Sequence, residues 1–567
     1  MNSVIFLILR RMRAPLIVLI VFYTVGVLVL TIVPGQNADG TPGPPLSFFH
    51  AFYFISYTAT TIGFGEIPWA FSDAQRLWVT VCIYMTVIAW TYAIVKVLAL
   101  LQDKAFLQAL TDSRFARRVR HMHMPFYLIC GCGETGSLIC RALDVLGYDF
   151  AILEKNVLRV EELAMEDFIT NDPVLAADAS ASSYLLMAGL CHPQCRGVLA
   201  VTNDEQANLA IAINVRLLAP GMPVLARVRN PLVAANMASF GTHHIVNAYE
   251  RFAEYLALAI SSPERFRLIE ILTGLPDTPL PEVHRPPLGR WIVCGYGLFG
   301  SAVCRYLDLP GIDISVIDPK YEGPANAGIL RGIGTEASVL KEAGIAEALG
   351  IVAGSDNDIS NLSIAVMAKK LNPNIFVVTR QNQAANDMLF DAFKADFSMV
   401  HTRVVAQECI SIITTPLLAR FLSAVRMADE SWSKQVCARL EEICEGRVPE
   451  VWDVEIETLL APAVHKTLMS EQPICVGQLM RNNGEWERAL PAVVLMIVRR
   501  GKSFLLPGDD FALEAEDALL VAGQHDARSS LHLTLQNANA LEYVLTGEDR
   551  RGGRLWQLLF GKQQPPG

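Results

Sequence analysis

Thr60-Thr61-Ile62-Gly63-Phe64-Gly65-Glu66 decides how the rest of this chain is read. Glycine accepts backbone angles that other residues avoid. Glycines at alternate positions therefore let an extended segment turn successive carbonyl oxygens to one side. Several such segments around an axis would form rings of oxygens able to replace the water shell of a cation.

The flanking sequence supplies a setting for such a segment. Ala14 to Val33 is an uncharged apolar run, long enough to cross a hydrocarbon layer of about 30 Å. A second run, Leu77 to Leu101, is longer and carries one charge, Lys96, near its end. Leu46 to Ala59 is apolar and aromatic but too short to cross. It reads as a re-entrant helix, tolerated at membrane depth when other protein shields its ends. A helix ending at the glycine segment would aim its partial negative charge at the ion path and favour cations.

Basic residues set the orientation. Arg10, Arg11 and Arg13 precede the first run, and Lys104, Arg114, Arg117, Arg118 and Arg120 follow the second. Pro34 to Gln75 contains no lysine or arginine, so both termini are expected in the cytoplasm and the glycine segment on the outer side. No arginine-rich helix is present to sense voltage. Val97, Leu98 and Leu101, at the inner end of the second run, are candidates for a ring that closes by excluding water. That run has no glycine hinge, so a smoother bend or another device is expected to open it.

At 567 residues the chain should hold three or four domains. Its hydrophobic fraction of 52% is concentrated near the N-terminus. A net charge of -10 with no large basic block argues against nucleic acid as a partner. The twelve cysteines follow no disulfide framework, so reduced thiols in a cytoplasmic body are expected. Cys191, His192 and Cys195 have loosely metal-like spacing, but no second ligand pair follows.

Beyond the basic linker the sequence repeats itself. A strand pattern, Pro125 to Cys130, leads into Gly131-Cys132-Gly133-Glu134-Thr135-Gly136 and a helical pattern, then a strand ending in Glu154. The same order returns as Trp291 to Cys294, Gly295-Tyr296-Gly297-Leu298-Phe299-Gly300 and a strand ending in Asp318. An acidic residue about 20 positions beyond the glycines is where a dinucleotide fold holds ribose. Later landmarks also pair by residue type: Asp178-Ala179-Ser180 with Thr335-Glu336-Ala337, Thr202-Asn203-Asp204 with Gly354-Ser355-Asp356, and Val228-Arg229-Asn230 with Thr379-Arg380-Gln381. Two such copies predict a duplicated, doubly wound α/β domain. Pro276, Pro279, Pro281, Pro286 and Pro287 mark the joint between them. A helix is expected over Ile410 to Met427, then a small α/β lobe with strands at Val493 to Val498 and Ala518 to Val521. The tail from Arg550 is expected to be mobile.

The segment from Thr61 to Glu66 resembles the selectivity-filter signature of potassium channels, T-V-G-Y-G-D, with Ile62, Phe64 and Glu66 departing from it. Phe64 gives up a hydroxyl that could tie the filter down, and Glu66 lengthens an outer-mouth carboxylate, so a less rigid filter is expected. With the paired glycine loops, nearly the whole chain resembles prokaryotic potassium channels carrying RCK domains. The paired form on one subunit is similar to the multi-ligand-gated GsuK type. The resemblance implies a homotetramer with one potassium-selective pore and a cytoplasmic gating ring, in the inner membrane. It implies residues 1–103 as an α-helical membrane pore (two spans and a re-entrant pore helix), 104–124 as a basic linker and 125–275 as the first Rossmann-like RCK domain. It further implies 276–289 as a proline-rich linker, 290–445 as the second copy with its crossover helices, 446–543 as a C-terminal subdomain, and 544–567 as a tail. The first copy lacks a terminal subdomain of its own.

Each glycine loop leads to a helix N-terminus, where free N–H groups attract phosphate. Gly131, Gly133 and Gly136 are assigned to phosphate and Glu154 to ribose. The family pattern adds Asp178 near the base and Arg229 as a phosphate partner. Glu134 inside the loop disfavours a triphosphate, so NAD or ADP is the expected ligand. Gly295, Gly297, Gly300, Asp318 and Glu336 are the matching positions in the second copy. Calcium is a further ligand that the resemblance implies, with Glu161, Glu162, Glu166 and Asp167 among acidic candidates. A membrane-anchored NAD-dependent oxidoreductase and a nucleotide-sensing subunit of another transporter are the alternative readings. No recognisable catalytic constellation accompanies the glycine loops, so an enzyme is not expected.

Overall fold

A computed structural model describes residues 2–37, 41–67, 70–166, 168, 172–242, 244–274, 276–280, 285–322 and 328–548. Asp167, Pro281 and the tail from residue 549 onward, all named above, lie outside the described residues. The chain falls into two compact units, residues 1–122 and 123–567.

The first unit holds two helices long and apolar enough to cross a membrane, with apolar stretches at Met12–Leu30 and Asp73–Ala99. Between them lies the short helix Phe48–Ala59, which begins where the Ser47 hydroxyl accepts from the His50 amide. Gly26 allows the three helices to meet. A Cβ there would stand 3.3 Å from Ile55 Cδ1 and 3.6 Å from Cys82 Sγ, and Trp78 Nε1 donates to the Gly26 carbonyl at 3.3 Å. Ser72 Oγ and Gln75 Nε2 donate to the carbonyls of Pro34 and Val33, at 2.9 and 3.2 Å. These bonds latch the start of the second long helix to the end of the first. The basic segment expected as a linker is largely a helix, Lys104–Arg120. It is capped by Asp103, which accepts from the Phe106 amide at 3.0 Å, and its last turn places Arg117, Arg118 and Arg120 at the favourable end of the dipole.

The second unit contains two six-stranded parallel sheets with one topology. In the first the order is Val174–Ala176, Asp149–Glu154, Phe126–Cys130, Cys195–Ala200, Val224–Val228, His244–Asn247. In the second it is Ile329–Arg331, Asp313–Asp318, Arg290–Cys294, Gly350–Ala353, Phe376–Gln381, Phe397–Val400. Both put the topological switch beside the glycine loop, where doubly wound sheets form their ligand crevice.

Each sheet is followed by a broken helix pair. Ala248–Ser261 and Pro263–Thr273 follow the first; His401–Thr414 and Pro416–Val425, bent by 116°, follow the second. The single helix expected over Ile410 to Met427 is therefore two. Pro416 lacks an N–H and pushes Thr415 out of the helical region, to φ -141° and ψ 71°. The pairs exchange partners. Helix Ala248–Ser261 packs on the glycine-loop helix Leu298–Tyr306 of the second copy, and His401–Thr414 packs on Glu134–Val145 of the first. One core thus runs through both copies, joining Phe252, Leu256 and Phe299 with Ile139, Leu143 and Cys409.

The terminal lobe is an antiparallel sheet in the order Glu450–Glu455, Ala518–Gly523, Ala492–Arg499, Lys502–Leu505. Strand alternation gives it two apolar faces. Val493, Leu495 and Leu520 pack with Leu268 and Ile271 from the first copy and Phe421 from the second. Val494, Ile497 and Val521 pack under the lobe's own helices. One lobe covers the crossover helices of both copies, which is why the first copy can do without its own. Its last helix, Ala538–Thr546, runs past the expected boundary at 544 and stops at Gly547, where φ is 77°.

Candidate functional site

The glycine segment leaves the pore helix through Thr61, with φ at 63°, then Gly63 at 66° and Gly65 at 90°. Left-handed residues at alternate positions turn successive carbonyls toward the same side. Nothing within the subunit lies within 4 Å of a Cβ built on Gly63 or Gly65, so backbone conformation alone demands glycine there. The Tyr57 carbonyl accepts from Ile62 N at 2.9 Å, and the Tyr57 hydroxyl donates to the carbonyl of Gly65. Glu66 accepts from Arg76 Nε at 2.8 Å, from Arg76 Nη2 at 3.0 Å and from the Phe71 amide at 2.8 Å. The Phe64 ring stacks on Tyr53 at 6.4 Å and meets Tyr57 edge-on at 5.4 Å. The ties missing from Phe64 are thus made by Tyr57 and Arg76, and the longer carboxylate of Glu66 reaches both an arginine and an amide. Val97, Leu98 and Leu101 are exposed on the subunit. Thr86 donates back to the carbonyls of Cys82 and Ile83, at 2.7 and 3.1 Å, a pattern that bends helices without glycine.

The first glycine loop walls a cavity of about 630 Å³ that also includes Glu154, Lys155, Arg159, Asp178 and Asn203. Gly131 has φ 91°, and a Cβ there would collide with Thr202 at 2.7 Å. Gly133 caps the helix Glu134–Val145 and faces the cavity. Gly136 does not line it: a Cβ at this position would lie 2.2 Å from the Gly131 carbonyl oxygen. Its place is under the loop, where it lets helix and strand close up, and not against a phosphate.

Glu154 accepts from Cys132 N at 2.6 Å and from Asn156 N at 2.8 Å, which aims the carboxylate across the mouth of the cleft. Asp178 accepts from Ser180 Oγ at 2.6 Å and pairs with Lys155 at 2.9 Å. The Ser180 hydrogen bond, followed by Lys155, lowers the Asp178 carboxyl to about 2. Arg159 donates to the Cys132 carbonyl at 3.0 Å and to Ser137 Oγ at 2.6 Å, bringing a guanidinium to the glycine-loop end of the cleft. Sequence reasoning missed Arg159; the signal was a cation one helical turn beyond the acidic strand end. Arg229 lies outside the cavity lining, against the Asn203 carbonyl at 3.4 Å and Glu205 at 3.6 Å.

A second cavity of about 650 Å³ shares Gly133, Arg159 and Asn203 with the first and is completed by Asn382, His401 and Arg403 from the second copy. Burial, then the charge of Arg227, lowers His401 to about 4, and its Nδ1 is buried without a hydrogen-bond partner.

The second copy follows the first with a register that differs from the pairing by residue type. Asn208 Nδ2 donates to the Arg227 carbonyl at 2.9 Å, and Asn361 Nδ2 to the Arg380 carbonyl at 2.7 Å. Glu205 accepts from Asn230 N at 3.0 Å, and Asp358 from Gln383 N at 3.1 Å. Arg380 therefore matches Arg227, and Arg229 matches Asn382. Ser355 likewise matches Thr202, since each hydroxyl donates to its asparagine at 2.7 Å. Asp318 repeats Glu154, accepting from Tyr296 N at 2.6 Å and Lys320 N at 2.7 Å. Gly295 repeats the left-handed turn with φ 98°, Gly297 caps the helix, and Gly300 sits under the Gly295 carbonyl as Gly136 does under Gly131. Glu336 is no counterpart of Asp178. The Ala177 and Gly332 amides donate to the carbonyls of Glu154 and Asp318, which aligns Asp178 with Ile333 and leaves Glu336 at the start of helix Ala337–Glu342.

Cys191, His192 and Cys195 form a turn in which His192 Nδ1 accepts from Gln194 N at 3.2 Å and buried Cys195 contacts the Gly197 carbonyl at 3.8 Å. Among the described residues, no group of three or more His, Cys, Asp or Glu side chains is placed to hold a metal ion. Glu162 and Glu166 pair with Arg159 instead, at 2.7 and 3.1 Å.

The ion channel family model matches residues 16–103, and the TrkA-N domain model matches twice, over residues 127–248 and 291–400. Potassium channel protein 1 of Methanocaldococcus jannaschii is 23% identical over 206 residues, 36% of this chain and 59% of that protein. The Trk system potassium uptake protein TrkA homolog of Pyrococcus horikoshii is 28% identical over 109 residues, 18% of this chain and 48% of that protein. The chain thus spans about half of the length of these curated relatives. The solved GsuK channel is 17% identical with a TM-score of 0.46, over 94% of this chain and 99% of that one. The chain thus carries an ion-channel segment followed by two TrkA-N domains.

Proposed function

We propose that four copies of this chain line one potassium-selective pore, gated by a nucleotide bound in the first TrkA-N cleft. The observation that carries the pore reading is the alternation of left-handed residues at Thr61, Gly63 and Gly65, tied at both ends by Tyr57 and Arg76. Only a closed ring of such segments surrounds an ion with oxygens, and a single subunit cannot form one. The basic residues flanking the spans support cytoplasmic termini and an outward-facing filter in the cell membrane.

The first cleft is the better nucleotide site of the two. Glu154 and Asp178 both line it, and Arg159 stands at its phosphate end. The second copy has Ile333 in place of Asp178 and the Phe299 ring in place of Thr135. Glu134 at the helix start favours a diphosphate such as NAD or ADP over a triphosphate. The nucleotide acts as a ligand and is released unchanged. Moving a pore from mostly closed to mostly open takes about 5.5 kcal/mol of differential binding, roughly 1.4 kcal/mol per subunit. A modest rearrangement at each cleft suffices.

The test is flux through liposomes containing only this protein, with potassium or sodium inside, repeated with NAD, ADP and calcium. Potassium flux well above sodium flux, changed by NAD or ADP and with the nucleotide recovered intact, is expected. Equal passage of sodium and potassium sinks the pore reading; indifference to both nucleotides sinks the gating reading alone. Calcium joins the assay as a separate ligand, because the resemblance implies it and no residue set assigns it.

A further inference from the structure

Cys132 and Cys140 bring their sulfurs to 3.6 Å behind the lining of the first cleft, one in the glycine loop between Gly131 and Gly133 and one in the helix that follows. Both side chains are fully buried. Cys132 is tied into the loop through both of its backbone polar groups: its amide donates to Glu154 at 2.6 Å, and its carbonyl accepts from Arg159 at 3.0 Å. Its sulfur also lies 3.8 Å from Ser137 Oγ.

The electrostatics single out Cys132. Burial pushes the thiols of Cys130, Cys195, Cys294 and Cys437 up. Cys132 is shifted down despite its burial, chiefly by its hydrogen bond with Cys140, with help from Ser137 and the charge of Arg159. Cys140 is raised, by burial and by its neighbour. Of the two contacting sulfurs, Cys132 is the one with Ser137 Oγ beside it and Arg159 on its own carbonyl. In the second copy Tyr296 and Cys304 occupy the matching positions, so the pair belongs to the first cleft alone.

We propose that Cys132 and Cys140 form a modification site that takes a two-electron oxidation by a hydroperoxide, converting the pair to a disulfide that alters the first cleft. The Cys132 thiolate attacks a peroxide oxygen, the O–O bond breaks, and the departing oxygen leaves protonated as water or alcohol. The resulting sulfenic acid on Cys132 is attacked by the Cys140 sulfur, which gives up its proton as the S–O bond breaks and water leaves. Two thiols are oxidised and one peroxide is reduced. The sulfurs must close from 3.6 Å to about 2.05 Å. That movement draws Cys132 toward the helix and away from the geometry in which its amide positions Glu154. Burial of both sulfurs makes the loop open before peroxide enters, so a bound ligand that holds the loop slows the reaction. The effect on ligand binding rests on the nucleotide reading of the cleft; disulfide formation does not.

The full-length protein in detergent micelles is treated with hydrogen peroxide, alkylated, digested and mapped by mass spectrometry, and ADP and NAD affinities are measured before and after. The expected product is one linkage between the Cys132 and Cys140 peptides, lighter by two hydrogens and reversed by dithiothreitol. It forms more slowly with saturating ADP and lowers nucleotide affinity by about tenfold, or 1.4 kcal/mol. C140S should leave a sulfenic acid on Cys132 that dimedone traps; the wild-type map stands if this variant does not fold. Alkylation of both thiols after peroxide, or oxidation of either without linkage, overturns the site. A linkage that leaves nucleotide affinity unchanged overturns its coupling to the cleft. A reduced protein that binds neither nucleotide would instead overturn the nucleotide reading, with the disulfide map still decisive for the site.

Discussion

Glu66 and Arg76 form a two-pronged ion pair at the end of the glycine segment, at 2.8 and 3.0 Å, and the same carboxylate accepts from the Phe71 amide. This couples the segment proposed as the filter to the start of the second long helix. An exposed pair contributes little by itself, about 0–1 kcal/mol. Here the pair fixes the end of a left-handed segment, so its effect should appear in selectivity rather than in stability. Glu66→Gln is expected to lower the potassium-to-sodium permeability ratio several-fold, read from reversal potentials, with little change in the melting of the second unit. An unaltered ratio would show that the pair is ornamental.

Gly63→Ala forces an L side chain into a φ of 66°, at a cost of about 1–2 kcal/mol in each subunit. Potassium flux should disappear while the second unit binds ADP as before. Flux at the wild-type level would remove the filter from residues 61–65.

Glu154→Ala should weaken ADP and NAD binding by about tenfold or more, because it removes both the proposed ribose acceptor and the anchor of the Cys132 and Asn156 amides. Asp318→Ala, the matching change in the second copy, should have a much smaller effect. Isothermal titration on the two variants separates the clefts, and the reverse ranking would move the ligand to the second copy.

Arg251 and Glu408 join the crossover helices of the two copies through a two-pronged, largely buried pair, with the Nε bond at 3.0 Å. Removing Glu408 leaves Arg251 paired with Glu254 alone, at 2.6 Å, so the cost falls below the roughly 3–5 kcal/mol of a fully uncompensated buried charge. Glu408→Gln should therefore lower the melting temperature of the second unit, and the double variant Arg251→Met, Glu408→Leu should recover part of the loss. Calorimetry of the three proteins measures this.

His401 has a folded-state pKa of about 4 against an ordinary 6.5, because burial and Arg227 oppose its charged form. Between those values the unfolded chain binds more protons than the folded one, so stability is lost as pH falls from 6.5 toward 4. His401→Gln should flatten that part of the stability curve relative to wild type, by about 1–3 kcal/mol at pH 4.5. Parallel curves for the two proteins would show that His401 is not held neutral.

What the chain declares locally is legible in the sequence itself. Apolar runs of spanning length, glycines at alternate positions and a glycine loop followed by a carboxylate are short-range patterns, and each sits where its pattern implied. Gly131, Gly133, Glu154 and Asp178 line one cleft because a strand end and its following turn carry their own geometry. Arg380 was legible as an arginine and illegible as the counterpart of Arg227. Matching by residue type ignores the carbonyl that Asn208 or Asn361 reaches, and only the hydrogen bonds between helix and strand fix that register. The exchange of crossover helices, the cavity shared by Arg159 and His401, and the contact between Cys132 and Cys140 also depend on tertiary packing. Sequence settled the kind of elements and their order; packing settled which surfaces meet, because burial rewards contacts between segments that no local period connects.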